Sequence, residues 1–300
     1  MERRAVSEPT AISPGSPEIR ASIGEARVGD VTFIGNATAL LRIGAFTLLT
    51  DPNFSHEGDR ARLGYGLRSR RLIGPSMEIS DLPELDAIVL SHHHGDHFDD
   101  VVARELDRDV RIASTPHAVR KLRRQGFRHA VSLRTWQSKS LRRGDEELRI
   151  TAVPGKHSPR ALSAFIPPVM GSMLELVTGG RVTFRMYVTG DTVFHDRLAE
   201  IPERYPDIDV CLIHLGGTRI AGVLLTMDGA QGARALELVR PRTALPVHYE
   251  DYAVFKSPLR DFLRALEATD VADRVHVVPR GNEFPIFAVA DRSIETQRAG

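Results

Sequence analysis

The chain has 300 residues, 42% of them apolar and 26% charged, values that suit a globular protein with a sizeable core. Forty Lys and Arg against 39 Asp and Glu leave a formal net charge of +1, so overall charge recruits no anionic partner, and a single cysteine excludes an intramolecular disulfide. The first thirty residues lack a signal-peptide core, and no apolar run is long enough to span a bilayer, so no transmembrane segment and a cytoplasmic, reducing location are expected.

Residues 1–28 are rich in Pro, Ser, Glu and Arg without period and are expected to form a flexible leader. VTFIG (31–35), TALLRIG (38–44) and FTLLTDP (46–52) are strand-like runs punctuated by Gly and Asn, which predicts antiparallel hairpins. Residues 53–82 are polar and Arg-rich and are expected to form a long loop of the kind that often carries function. DAIVLSH (86–92) is a continuous apolar run and predicts a buried strand, after which FDDVVARELD has helical spacing. A strand in VRIAST (110–115), a helix at 116–125 and several strands between 129 and 154 continue the alternation.

In ALSAFIPPVMGSMLELV (161–177) the double proline predicts a loop followed by a strand. Phe165, Ile166, Val169, Met170 and Met173 read either as a packing edge or as an apolar wall for an acyl or aromatic group. RVTFRMYVTGD (181–191), DVCLIHL (209–215), TALPVH (243–248), VHVVP (275–279) and FPIFAV (284–289) read as strands, and 195–203, 228–239 and 257–268 as helices. Cys211 reads as a small buried apolar residue. The basic clusters Arg68, Arg70, Arg71 and Lys121, Arg123, Arg124, Arg128 have no interleaved aromatics and read as solvated faces. No linker interrupts the chain, so residues 29–290 are expected to form one domain of two packed sheets with helices outside, followed by a tail at 291–300.

The chemistry is concentrated in IVLSHHHGDHFDD (88–100). His92 and His94 lie two apart where a strand ends, so both point to one side. Gly95 permits a sharp turn, and Asp96 and His97 enter the following helix. Imidazole nitrogens and carboxylate oxygens are good zinc ligands, and four donors packed this closely suit two adjacent ions better than one. Phe98 is expected beneath the loop, Asp99 as a helix cap, and His93 as a support for the ligand loop. His157 in VPGKHSP, Asp191 in YVTGDT and His248 in LPVHYED each follow an apolar run and precede a turn, so they are candidates to complete the site.

H-x-H-x-D-H followed by spaced His, Asp and His resembles the signature of the metallo-β-lactamase superfamily. FIGNATALLRIG, LLTDPNFS, TGDT and TMDGAQGA…PVHYEDY are similar to the branch containing N-acylphosphatidylethanolamine phospholipase D and the ascorbate-phosphate lactonase, and the resemblance covers most of 30–285. It implies a four-layer αββα sandwich with two metals at one edge. His92, His94 and His157 would hold the first, Asp96, His97 and His248 the second, and Asp191 would bridge them. The implied cofactor is Zn2+, two per chain, with Mn2+ or Fe2+ acceptable to the same donors. Two such ions about 3.5–4 Å apart polarise a shared water, and Asp96 would also orient this nucleophile.

The expected activity is hydrolysis of an ester, lactone or phosphodiester in a small organic or lipid-like molecule. Competing readings are a nuclease, for which no insertion large enough for a clamp domain is found, a non-enzymatic metal-binding protein, and a β-lactam hydrolase. His214 stands where the resembling lipid enzymes carry an apolar residue or proline. It reads as a catalytic proton donor or head-group binder, or else as a satisfied structural histidine. His56, in the long loop, is a further candidate at the mouth, and His195, four positions after Asp191, a candidate to line the cavity; each reads equally as a structural histidine.

Overall fold

The computed structural model describes residues 25–64, 67–157, 167–220 and 222–289. In chain order the elements are β1 (Glu25–Gly35), β2 (Thr38–Ile43), β3 (Phe46–Thr50), β4 (Arg60–Gly64), β5 (Leu67–Arg70), β6 (Ala87–Val89), α1 (Asp100–Glu105), β7 (Ile112–Ser114), α2 (Pro116–Arg124), β8 (Ala130–Ser132), β9 (Ser138–Arg143), β10 (Glu146–Pro154), β11 (Met170–Thr178), β12 (Arg181–Val188), α3 (Glu200–Arg204), β13 (Val210–His214), β14 (Arg219–Ile220), β15 (Val223–Leu224), α4 (Gly229–Val239), β16 (Thr243–Val247), α5 (Leu259–Leu266) and β17 (Glu283–Val289).

One sheet runs β17-β1-β2-β3-β6-β7-β8 and the other β16-β13-β12-β11-β10-β9. Each is antiparallel at one end and parallel at the other. Alternation along the strands sorts side chains between layers. Leu41, Leu48 and Val89 meet Ile150, Met186 and Leu212 between the sheets. Leu40, Leu49 and Ile88 face outward onto Val102 of α1 and Leu122 of α2, while Tyr187, Cys211 and Ile213 face Leu236 of α4 and Phe262 of α5. Both faces of these strands are covered, which is why their sequences read as unbroken apolar runs. The layers are therefore helices, sheet, sheet, helices, as the αββα expectation required.

Local signals fix the helix starts. Asp99 accepts from Val102 N at the head of α1, Thr115 caps α2 with Pro116 in its first turn, and Asp228 accepts from Gln231 N at α4. No described helix is long and apolar enough to cross a membrane.

Several expectations change. The stretch expected as one long loop contains the β4–β5 hairpin, in which Ala61, Leu63 and Ser69 are buried between exposed arginines. Arg71 is no solvated cation: it is fully buried, donates to the Asn53 carbonyl at 3.0 Å and the Ile73 carbonyl at 2.8 Å, and lies 3.8 Å from Asp251. VHVVP forms no strand, only a single bridge from Val275 to Ala244. The helix expected at 195–203 is a 3-10 turn at Asp196–Ala199 followed by α3. β1 begins at Glu25, inside the span assigned to the leader; the rest of the leader and the tail fall outside the described residues. Val169, Met170 and Met173 are buried in packing rather than lining a wall, and Phe165 and Ile166 lie outside the described residues.

Candidate metal centre

Four strand ends converge on one edge of the sandwich. His92, His94, Asp96 and His97 follow β6, His157 follows β10, Asp191 follows β12, and His248 follows β16. Two sets result, His92, His94, His157 and Asp96, His97, Asp191, His248, with the donor atoms of each set within 4.8 Å of one another.

The backbone holding these side chains is tightly specified. Gly95 N donates to the Arg62 carbonyl at 2.9 Å, and a Cβ at Gly95 would stand 2.6 Å from Arg62 N. The glycine is thus required by the close approach of the β4–β5 hairpin to the ligand loop. His248 sits at φ 62°, a left-handed conformation that costs a non-glycine residue free energy. It is held there by its N–H on the Asn36 carbonyl at 2.8 Å. The Asn36 side chain donates to the Asp96 carbonyl at 2.6 Å, tying the two ligand loops together.

The imidazoles are oriented through their outer nitrogens. His157 Nδ1 lies 3.1 Å from the Leu225 carbonyl and His248 Nδ1 3.1 Å from the Leu215 carbonyl. A carbonyl only accepts, so each ring carries a proton on Nδ1 and turns Nε2 inward. Ser91 Oγ donates to Asp51 Oδ1 at 2.9 Å and therefore accepts from His92 Nδ1 at 3.0 Å, with the same result. His94 is reversed: its Nδ1 faces His92 Nε2 at 2.8 Å.

The inner atoms lack protein partners. His97 Nε2 and His248 Nε2 make no hydrogen bond, nor do Asp96 Oδ1 and Asp191 Oδ1, although all are buried. His97 Nε2 lies 3.2 Å from Asp191 Oδ2, and His248 Nε2 3.6 Å from both Asp96 Oδ2 and Asp191 Oδ1, but none of these contacts is aligned for hydrogen bonding. Burial of such atoms without partners is costly. Lone-pair nitrogens and carboxylate oxygens at this spacing suit divalent cations.

Electrostatics agree with that reading. Burial, then the neighbouring rings, drives His92 well below the ordinary histidine value, and His94 is pushed down to about 3 for the same reasons, so both are unprotonated at neutral pH. Burial opposes ionisation of Asp191, yet His248 and His97 bring it well below the usual carboxylate range. His97, despite burial, is raised by Asp191, Asp51 and Asp96. This cluster of carboxylates around an imidazole attracts positive charge.

Asp51, immediately after β3 and within LLTDPN, also adjoins the cluster, and the sequence alone assigns it no role. Its Oδ1 lies 3.4 Å from His97 Nδ1 and also accepts from Ser91 N at 2.8 Å, while its Oδ2 lies 3.3 Å from His214 Nε2. Its position could have marked it, since Asp51 ends an apolar run as His157, Asp191 and His248 do.

His214, expected as a proton donor or head-group binder, lies against Asp51 and Thr189. It is fully buried, with Nδ1 3.3 Å from Thr189 Oγ1 and Nε2 on Asp51. Both ring nitrogens are partnered within the protein, an arrangement that suits a positioning role through Asp51 as well as the expected proton-donor role. His56 pairs with Glu78 at 3.1 Å on the surface and does not join the cluster. His93 contacts Gln125 and packs against Phe98, which supports the loop. His195 is half-buried, and burial with Lys156 nearby lowers it to about 4.

Residues 47–249 match the family described as Beta-lactamase superfamily domain. A metal-dependent hydrolase of Carboxydothermus hydrogenoformans is 27% identical over 250 residues, covering 82% of this chain and 95% of the relative. The N-acyl-phosphatidylethanolamine-hydrolyzing phospholipase D 1 of Caenorhabditis elegans is 26% identical over 232 residues, covering 74% of this chain and 64% of the relative. Isothiocyanate hydrolase from Delia radicum gut bacteria superposes with a TM-score of 0.72 at 19% identity, covering 85% of this chain and 99% of that one, a likeness of fold.

Proposed function

The chain belongs to the metallo-β-lactamase superfamily, and from that premise we propose that it is a dinuclear zinc hydrolase of an ester, lactone or phosphodiester in a small organic or lipid-like molecule. It is a metal-dependent hydrolase; the number and identity of the ions and the bond cleaved are the proposed part. The observation that carries it is the convergence of seven side chains, four of which, Asp96, His97, Asp191 and His248, keep an inner nitrogen or oxygen buried without a hydrogen-bond partner.

His92, His94 and His157 would hold one ion, Asp96, His97 and His248 the other, with Asp191 between them. When bound, such ions lower the pKa of a coordinated water towards about 7 and polarise the substrate oxygen. Thr226 Oγ1 donates to Asp191 Oδ2 at 3.1 Å and orients that carboxylate. Asp96 Oδ1 makes no hydrogen bond within the protein, so it is available to orient the attacking water and receive its proton. Likeness to a phospholipase D supports the lipid-like end of the substrate range.

Elemental analysis after zinc reconstitution should give about two ions per chain, and manganese or iron should restore the site after chelation. A panel of chromogenic carboxyl esters, lactones, phosphodiesters and β-lactams identifies the bond. One ion or none per chain removes the dinuclear reading; turnover confined to β-lactams removes the proposed substrate class.

A further inference from the structure

The β4–β5 hairpin carries a charge pattern that packing does not explain. Its register sets Arg60 opposite Arg70 and Arg62 opposite Arg68. Directly opposed residues share a face with Cβ atoms about 4.5–5.5 Å apart, and like charges so placed repel. All four arginines are exposed, while Ala61, Leu63 and Ser69 on the other face are buried, with Ala61 and Leu63 against Tyr252. Arg62 lies 3.9 Å from Asp100, with both side chains largely exposed, a pair worth little. Arg60, Arg68 and Arg70 have no side-chain ion pair among the described residues.

The same ribbon exposes aliphatic surface. Five large hydrophobic residues are exposed among those described, and three of them, Leu67 (40%), Leu72 (44%) and Ile73 (40%), lie on or just after this hairpin. The ribbon is also fixed to the metal centre. Arg62 O accepts from Gly95 N, between two ligands, and Arg70 O accepts from Ala253 N at 3.0 Å, in the loop that follows His248.

We propose that this hairpin docks the protein on an anionic lipid bilayer, its arginines on headgroup phosphates and Leu72 and Ile73, just after it, in the interface. Guanidinium groups bind phosphate oxygens in pairs. Exposed aliphatic groups among cations favour a lipid interface over nucleic acid, where phosphate contacts and stacking carry the affinity. A bilayer held on this face lies beside the ligand loop, so a molecule dissolved in it is presented to the metal centre. Docking is independent of which bond that centre cleaves.

Co-sedimentation of the full chain tests it, with vesicles of phosphatidylcholine alone and of phosphatidylcholine mixed equally with phosphatidylglycerol. Binding is expected only to the anionic vesicles and should weaken with salt. Removing each arginine should cost about fivefold in affinity, so the combined Arg60→Gln, Arg62→Gln, Arg68→Gln, Arg70→Gln variant should no longer sediment. Its thermal midpoint should equal or exceed that of the parent, and its turnover of a water-soluble ester should be unchanged. The Arg68→Gln, Arg70→Gln pair keeps every residue contacting Gly95 and should lose about 25-fold, the product of two such steps. Equal binding to neutral vesicles, or full binding by the double variant, overturns the proposal. Displacement by duplex DNA at lower phosphate concentration than that of the vesicles assigns the face to nucleic acid and overturns it as well.

Discussion

Asp51 Oδ1 stands 3.4 Å from His97 Nδ1, so a fully buried carboxylate braces the ring of a proposed metal ligand. Such partners hold the ligand's tautomer and raise its basicity, and their loss typically costs 10–100-fold in metal affinity. Asp51→Asn should therefore lower zinc affinity by about 10–100-fold, most strongly for the ion on His97. Competition against a chromogenic chelator measures this, and two zinc affinities equal to those of the parent would show that Asp51 is only a packing residue.

The same carboxylate couples the fold to pH in metal-free protein. Burial works against its ionisation, but His97 and His214 hold it down to about 2, below the ordinary 3.8. A group depressed in the folded state stabilises above its unfolded value and loses that contribution as pH falls through the folded value. Metal-free protein should thus lose stability between pH 4 and pH 2 more steeply than metal-free Asp51→Asn. Urea midpoints across that window decide; parallel curves would contradict the depressed value.

His214→Ala removes a second imidazole partner of Asp51. As a positioning residue His214 should affect activated and unactivated substrates by one common factor, accompanied by weaker zinc binding. A general acid would instead spare substrates with good leaving groups and cost roughly 10²-fold on poor ones. Comparing nitrophenyl and alkyl esters on the zinc-saturated variant separates the two, and a loss confined to the alkyl ester would return His214 to the catalytic step.

How far the sequence could be read follows from these residues. His92, His94, Asp96 and His97 are adjacent in the chain, so their chemistry shows without a fold. His157, Asp191 and His248 are separate in sequence but share one position, the end of an apolar run. His214 shares that position too, and sequence cannot tell on which side of a ligand a buried ring lies. In the structure both its nitrogens have partners, Thr189 and Asp51. The β4–β5 hairpin was hidden because charge outweighed the alternation of Arg60-Ala61-Arg62-Leu63, although its inward residues keep the period of two. VHVVP has a strand's composition, but Val277 is 41% exposed and one bridge is all that joins the segment to β16.

Gly95→Ala tests whether the hairpin and the ligand loop form one unit. The added Cβ would meet Arg62 N at 2.6 Å and Arg62 O at 2.9 Å, both backbone atoms that cannot rotate away. Overpacking of this kind costs about 1–3 kcal/mol, and relief must come from moving β4 or the loop. The variant should have a lower thermal midpoint and faster proteolysis within residues 60–70, and should bind zinc more weakly. A variant with parental midpoint and zinc affinity would show that the contact is looser than the geometry implies.

Asp191→Ala removes the group that would lie between the two ions. Its carboxylate stands against His97, His248 and Thr226, and burial makes it expensive to keep charged without them. Metal-free variant protein should be less stable than metal-free parent, because the carboxylate ionises well below the usual range in the fold and its loss leaves His97 and His248 without their main counter-charge. Zinc-loaded variant should fare worse, since two nearby cations lose the charge that screens them. The rise in thermal midpoint on adding zinc, set by the difference in affinity between folded and unfolded states, should shrink in Asp191→Ala while circular dichroism stays that of the parent. Turnover should fall with it. An undiminished zinc-induced rise would exclude Asp191 from metal binding, whatever happened to activity.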